Sequence, residues 1–142
     1  MPLSEAERQS FLAEPHIGAL AVTDPRPERA PLTVPIWYAY DPGGELWITT
    51  GHDSAKARAL AGAGRFSLMV DRVTPTVRYV SVEGPVVSTE PTTEEEKRYM
   101  ASRYLPPPAV EPFLRLAERE HGPQLTIRMR PAHWLSADLG GA

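Results

Sequence analysis

Apolar and β-branched residues fall into short runs separated by turn residues, a pattern that predicts a sheet rather than a helical bundle. Short turns join most of these runs, so we expect a largely antiparallel sheet of about six strands. Closure of the sheet into a small barrel would remove its exposed edges. The predicted strands cover residues 16–22, 32–40, 45–50, 65–70, 77–88 and 124–130.

Capping signals and helix-breaking residues predict four helices around these strands. Ser4 and Glu7 have the spacing of a capping box, which indicates the start of the first helix. Threonines followed by three glutamates indicate another start, because carboxylates favour the positive end of the helix dipole. The predicted helices cover residues 4–14, a stretch from Ser54 to the glycines at 62–64, residues 91–105 and residues 110–122.

Proline and glycine predict where the strands turn or bend. Three prolines exclude regular structure from residues 24–31, which we interpret as a hairpin loop, and "DPGG" at 41–44 is a second turn. Pro35 favours an edge strand or one that bends over a ligand. Gly84 and Pro85 predict a sharp bend in the strand over 77–88. In chain order, the sequence therefore predicts a mainly β fold with flanking helices.

Composition narrows the function classes. The 142 residues suit a single domain, and the formal net charge of −3 gives no sign of a nucleic-acid or membrane surface. The absence of cysteine excludes disulfides, thiolate metal sites and thiol catalysis. No apolar run is long enough to span a bilayer. We expect one domain over residues 1–142 in a cytoplasmic protein.

The stretch "TTGHDSAKARAL", residues 49–60, is the most informative for chemistry. A helix N-terminus presents unpaired N–H groups and partial positive charge, which suits a phosphate. Thr50 and Ser54 would add hydroxyl donors there, and Lys56 and Arg58 would add charge. The spacing alone fits an ordinary Ser-capped helix with solvated cations even better.

Other arrangements carry weaker signals. His52, Asp53 and Ser54 are triad residue types, but sequence neighbours cannot form the triad geometry by themselves. The four histidines lack metal-ligand spacing, and neither a P-loop nor a G-x-G-x-x-G motif is present. The aromatic residues of the predicted sheet fit barrel packing better than a cofactor box, although a flat ligand would need such walls. They are Trp37, Tyr38, Tyr40, Trp47 and Tyr79.

The stretch "PLTVPIWYAYDPGGELWITTGHDSAKARAL", followed by "RFSLMVD" and "YVSVEGPV", resembles the pyridoxamine 5′-phosphate oxidase-like superfamily of flavin and deazaflavin split barrels. The resemblance covers about Ile17 to Val87. It implies an FMN-binding split barrel that forms a homodimer, with the cofactor site between the two subunits. It also implies an oxidoreductase in which FMN, or alternatively coenzyme F-420, carries the hydride chemistry, so we expect no catalytic side chain.

The resemblance assigns roles to particular residues. Thr50, Ser54 and Lys56 match the family's phosphate-binding hydroxyls and lysine, and "TVPIWY" matches the strand that runs along the flavin ring. Tyr79 would face the ring or the partner subunit. For Trp134 we expect one of two roles, either reaching over from the partner or simply packing the C-terminal segment. The implied cofactor-binding residues are Thr33, Val34, Pro35, Ile36, Trp37, Thr49, Thr50, Ser54, Lys56, Arg58, Tyr79 and Trp134.

Departures from the family pattern leave the substrate open. True pyridoxamine 5′-phosphate oxidases have an arginine where this chain has Thr33, and a longer C-terminal segment with a substrate-binding arginine. We therefore expect no vitamin B6 oxidation, and the chain is more similar to the short members, many of which use F-420. A protein that binds or stores the cofactor without turnover, and a cofactor-free split barrel with an interaction role, are the alternatives.

Overall fold

The computed structural model describes residues 1–140 and is mainly β, with helices on the outside of one sheet. The helices are α1 (Glu5–Ala13), α2 (Ala55–Ala63), α3 (Glu94–Tyr104) and α4 (Pro107–His121). The strands are β1 (Gly18–Val22), β2 (Leu32–Ile36), β3 (Tyr38–Tyr40), β4 (Leu46–Gly51), β5 (Arg65–Arg72), β6 (Val77–Pro91), β7 (Gln124–Met129) and β8 (His133–Gly140).

All strand pairs in the sheet are antiparallel, as the short connections predict. The order is β2-β1-β5-β6-β7-β4-β3, and β8 also pairs with β6. β2 therefore lies at an edge of the sheet. Proline is tolerated there, because no further strand pairs with the outer side of β2 and needs the N–H that Pro35 lacks. This sheet, flanked by helices, is the predicted split-barrel architecture.

β6 is the long strand that joins the two halves of the sheet. Its residues 77–83 pair with β8, and its residues 86–91 pair with β7. The connection between β7 and β8 passes so close to Gly84 that an added Cβ would lie 1.8 Å from the Arg130 carbonyl oxygen. The register also shifts between Val86 and Ser88. The bend predicted at Gly84 is therefore the point where β6 changes partners.

Local capping explains where the helices begin. Ser4 and Glu7 form the predicted capping box of α1, and Thr93 and Glu96 form an equivalent one on α3. Ser54 caps α2, and Gly64 ends it in the left-handed conformation that glycine adopts without strain. The sheet and these helices enclose one core, whose largest fully buried side chains include Phe11, Leu12, Leu20, Tyr38, Leu46, Ile48, Leu60, Leu68, Ile127 and Met129.

The structure corrects several predicted boundaries. The run 32–40 is two strands, because β2 pairs with β1 whereas β3 pairs with β4, and Trp37 lies between them. The C-terminal segment, which we did not predict as a strand, forms β8 along β6. The sheet thus has eight strands within residues 1–140 rather than six. α4 begins at Pro107 rather than at 110, since proline is tolerated in a first helical turn.

One polar residue of β7 is also buried. Thr126 alternates with the apolar residues Leu125 and Ile127, a pattern that predicts a solvent-facing side chain, but it is 2% exposed. α3 covers it: the Thr126 hydroxyl donates to Glu96 Oε1 at 3.0 Å, and Arg128 Nη2 donates to Glu96 Oε2 at 2.5 Å. α3 is therefore fixed to the back of β7 by polar contacts.

Across residues 1–140, no helix combines the length and apolar character needed to cross a membrane.

Candidate functional site

A pocket of about 620 Å³ lies where the ends of β2 and β4 meet the start of α2. α3 and α4 form its other wall. Its volume is in the usual range for a small-molecule or cofactor site. The pocket brings together half of the residues that the sequence predicts for the cofactor site, namely Ile36, Trp37, Thr49, Thr50, Ser54 and Lys56.

Two hydroxyls lie at the α2 end of the pocket. Thr50 Oγ1 and Ser54 Oγ are 2.9 Å apart, and Ser54 Oγ also accepts a hydrogen bond from the Ala57 N–H at 3.0 Å. The N–H groups of Ala55 and Lys56, the first two of the helix, have no intrahelical partner. Hydroxyls and helix N–H groups at one place form a site for an anionic group.

The corner between β4 and α2 holds these groups in position. The Ser54 N–H donates to the Gly51 carbonyl at 3.1 Å, which closes a tight turn. The His52 N–H donates to the Pro123 carbonyl at 3.2 Å, and this bond fixes the turn to the segment after α4. The corner is therefore closed by its own turn and anchored to the segment after α4.

The two cations of α2 point in different directions. Lys56 lines the pocket and makes no ion pair with any of residues 1–140. Arg58 Nη1 donates to the Asp53 carbonyl at 2.5 Å, and its side chain lines a separate cavity of about 130 Å³ beside Asp24 and Leu32. Lys56 is therefore the α2 cation that can add charge to the pocket directly.

Aromatic side chains form another part of the pocket lining. The Trp37 indole stacks on Tyr104 with ring centroids 4.7 Å apart and an interplanar angle of 12°. It also contacts Phe113 of α4 at 5.3 Å and 31°. Trp37 and Phe113 both line the pocket, which gives this part a flat, apolar surface.

The backbone beside Trp37 is held by the end of α3. Arg103 Nε donates to the Tyr38 carbonyl at 2.8 Å, and its Nη atoms donate to the carbonyls of Ala13 and Glu14 at 3.0 Å. The Tyr38 hydroxyl donates to the Leu12 carbonyl at 2.6 Å. Burial raises the pKa of Tyr38, so that hydroxyl stays a neutral donor.

The wall contributed by α3 and α4 was missed by the sequence analysis. Phe113, Leu114 and Ala117 of α4 line it, together with Met100 and Ala101 of α3. An ion pair between Arg98 and Glu111 joins the two helices at the rim. The spacing of Val110, Leu114 and Ala117 indicates an apolar face, but spacing alone does not distinguish a pocket wall from core.

The other predicted residues lie outside this pocket. Val34 packs against the core, while Thr33 and Pro35 are exposed on β2. Tyr79 lies on β6 on the face opposite the buried Val80. The Trp134 ring packs edge-on to Tyr40 at 6.1 Å, and the Arg8 guanidinium lies 4.8 Å from its centroid. Within one chain, these residues therefore do not join Lys56 and Trp37.

The lining suits a ligand that carries both an anionic group and a flat ring. The sequence profile of the family described as pyridoxamine 5′-phosphate oxidase matches residues 4–137. The chain belongs to the pyridoxamine 5′-phosphate oxidase family. No relative among proteins with curated functions matches the sequence.

Solved structures give the same fold for this pyridoxamine 5′-phosphate oxidase family member. A conserved hypothetical protein from Mycobacterium tuberculosis is 25% identical, with a TM-score of 0.72 over 96% of this chain and 85% of its own. A protein named F420 Reductase is also 25% identical, with a TM-score of 0.59 over 89% of this chain and 94% of its own. A FAD-binding protein from Mesorhizobium loti, 19% identical with a TM-score of 0.61 over 97% and 95%, is similar in fold.

Proposed function

We propose that this protein is an oxidoreductase that binds FMN in the pocket between α2 and Trp37. The bound flavin would transfer a hydride to or from a small organic substrate. The observation that carries the proposal is that Thr50, Ser54 and Lys56 line the same pocket as the aromatic side chains of Trp37 and Phe113. This arrangement matches the phosphate and the ring of one cofactor.

The α2 end suits the FMN phosphate. One hydroxyl hydrogen is used between Thr50 and Ser54, so this pair has one left to donate to a phosphate, and the N–H groups of Ala55 and Lys56 add two more donors. The Lys56 ammonium would supply a full positive charge to the phosphate dianion. Thr50 is only 3% exposed, so its hydroxyl is already held in position before a ligand arrives.

The Trp37 end suits the ring. Ile36 is the last ladder residue of β2 and Trp37 follows it, and Phe113 and Leu114 of α4 line the same pocket. The flavin supplies the hydride chemistry when it is bound. The chain's own contribution is to keep the ring flat against apolar side chains and to exclude water from it.

Coenzyme F-420 is the second candidate cofactor. The support is the 25% identity to the protein named F420 Reductase, together with a phosphate end that would serve either cofactor. Lys56 and the two hydroxyls do not discriminate between the two, because both cofactors carry a phosphate on a ribityl-type chain. The choice between them is a matter for direct binding measurements.

We also propose that the protein acts as a homodimer through the outer face of its sheet. One row of register partners across this face consists of small or apolar residues and one serine, namely Pro35, Ala19, Met69, Ser81 and Leu135. Leu135 and Leu139 of β8 are each 66% exposed there. A second copy would cover these side chains. Sedimentation velocity should give twice the mass of one chain, and a monomer at micromolar concentration would contradict this part of the proposal.

Absorption spectroscopy tests the cofactor. The purified protein should shift and sharpen the visible band of added FMN or F-420, and saturation should occur at one cofactor per chain. For turnover, protein with chemically reduced cofactor is mixed with quinones and enones without oxygen, and reoxidation is compared with that of free reduced cofactor. Faster reoxidation supports an oxidoreductase, binding without acceleration supports a storage protein, and no binding supports a cofactor-free barrel.

A further inference from the structure

Tyr104 contacts Trp37 without itself lining the pocket. Its ring is nearly parallel to the indole, at 12° and 4.7 Å between centroids. Phe113 supports the same indole from α4. The orientation of the pocket's aromatic end therefore depends on a residue at the last turn of α3.

The Tyr104 hydroxyl bonds two backbone groups, one just before β1 and one at the start of β3. It donates to the His16 carbonyl at 2.7 Å and accepts from the Tyr38 N–H at 3.2 Å. A phenol has one donor hydrogen, and these two bonds use it together with an acceptor lone pair. Tyr104 thus holds the residue that follows Trp37 as well as the indole.

The backbone at Trp37 lacks a strand ladder that would fix it otherwise. The residue lies between β2 and β3, which pair with different strands. Stacking on Tyr104 and contact with Phe113 are therefore what set the direction of the indole, whereas the Tyr104 hydroxyl bonds the neighbouring backbone.

We propose that Tyr104 is a positioning residue that holds Trp37 as the flavin-ring wall of the pocket. The inference rests on the proposed function, because it takes the ring bound beside Trp37 to be that of a flavin or deazaflavin. Tyr104 acts on the ring, whereas Lys56 acts on the phosphate. Replacement of Tyr104 should therefore weaken the binding of FMN and the binding of riboflavin by the same factor.

The neighbouring Arg103 offers a matched control. It makes three hydrogen bonds to backbone carbonyls from the same helix end, but it neither stacks on Trp37 nor lines the pocket. Arg103→Met removes the bond to the Tyr38 carbonyl and a cation–π contact with Tyr104 but keeps the stack of Tyr104 on Trp37, so it should destabilise the fold and weaken flavin binding less than Tyr104→Leu does. Tyr104→Phe keeps the ring stack and removes only the hydroxyl.

The experiment titrates FMN and riboflavin, or F-420 if only that cofactor binds, into wild type, Tyr104→Leu, Tyr104→Phe and Arg103→Met well below their melting temperatures. Tyr104→Leu should weaken both flavins about three- to tenfold, the range of a lost aromatic pair. It should also change the visible circular dichroism of the bound flavin. Tyr104→Phe should stay within about twofold of wild type. If Tyr104→Leu does not fold, Tyr104→Met takes its place.

A second experiment introduces Tyr104→Leu into a Trp37→Leu variant and repeats the titrations. Tyr104→Leu should then cause no further loss, because Tyr104 acts through Trp37. The inference is overturned if Tyr104→Leu binds both flavins as wild type does, if its effect persists without Trp37, or if Arg103→Met has the same effect. Wild type that binds no cofactor would overturn the proposed function as well, so the two failures are distinguishable.

Discussion

The Thr50 hydroxyl at the end of β4 and the Ser54 hydroxyl at the cap of α2 lie 2.9 Å apart. Ser54 thereby has two partners, since it also accepts the Ala57 N–H. The same side chain begins a helix and faces the pocket. A cofactor site built on this pair therefore shares a residue with the folding of α2.

Replacement of Ser54 should affect stability and binding together. Ser54→Ala removes the cap, and we expect a loss of about 1 kcal/mol in the free energy of unfolding, measured in urea. FMN affinity should fall in the same variant, because the hydroxyl that positions Thr50 and faces the phosphate is lost. Ser54→Thr keeps a capping hydroxyl and should recover most of both. A Ser54→Ala protein that loses stability but keeps full FMN affinity would show that Ser54 only caps the helix.

Gly84 should not tolerate a side chain. The Cβ of Gly84→Ala would lie 1.8 Å from a backbone oxygen that cannot rotate away, so we expect a loss of at least about 3 kcal/mol or failure to fold. Gly62→Ala is the control, since no atom outside its own stretch of helix lies within 4 Å of its added Cβ. That change, in the last turn of α2, should stabilise the protein by up to about 0.5 to 1 kcal/mol. Equal effects in urea unfolding would contradict the close approach of Arg130 to β6.

Asp138 should make stability depend on acid pH. Hydrogen bonds from the Gly140 N–H, the Thr76 hydroxyl and Arg78 lower the pKa of Asp138 to about 2. A carboxyl with a lowered pKa stabilises the fold above its ordinary pKa, and this contribution is lost as the pH falls towards the lowered value.

Thermal melts of wild type and Asp138→Asn at several pH values test this. Wild type should melt higher at about pH 6, and the gap should narrow between about pH 4 and pH 2. A gap that stays constant over this interval would mean that the Asp138 carboxylate is not stabilised in the folded protein.

Vitamin B6 oxidation should be negligible. Thr33 stands where true pyridoxamine 5′-phosphate oxidases have an arginine. The threonine side chain, which is exposed on β2, carries no positive charge that could bind a substrate phosphate. An assay for pyridoxal 5′-phosphate formed from pyridoxamine 5′-phosphate with added FMN should stay at the background of free FMN. Steady production above that background would contradict the prediction.

Local signals in the sequence predicted the turn between β4 and α2 and the helix caps. Ser54 and Thr93 cap helices where their spacing indicates, and the boundaries of β4 and α2 follow from the turn at residues 51–53. These features depend on residues close together in the chain, so a linear pattern contains the information.

Features that depend on distant partners could not be predicted in the same way. β8 exists because β6 is long enough to pair with it, and its own pattern has leucines and a tryptophan on opposite faces. The break at Trp37 arises because two halves of one apolar run pair with different strands. The role of α4 as a pocket wall likewise depends on where α3 and α4 lie relative to α2. Residue spacing along the chain does not determine that placement.

Titration of wild type and Lys56→Ala with both FMN and riboflavin tests the central claim most directly. A charge-assisted hydrogen bond contributes roughly 1.5 to 3 kcal/mol, so Lys56→Ala should weaken FMN about ten- to a hundredfold. Riboflavin, which lacks the phosphate, should be affected far less, and the melting temperature of the apo protein should stay nearly the same. Arg58→Ala is the matched control, because Arg58 lines a different cavity. If wild type and Lys56→Ala discriminate FMN from riboflavin equally well, the phosphate does not bind at the start of α2 and the account is contradicted.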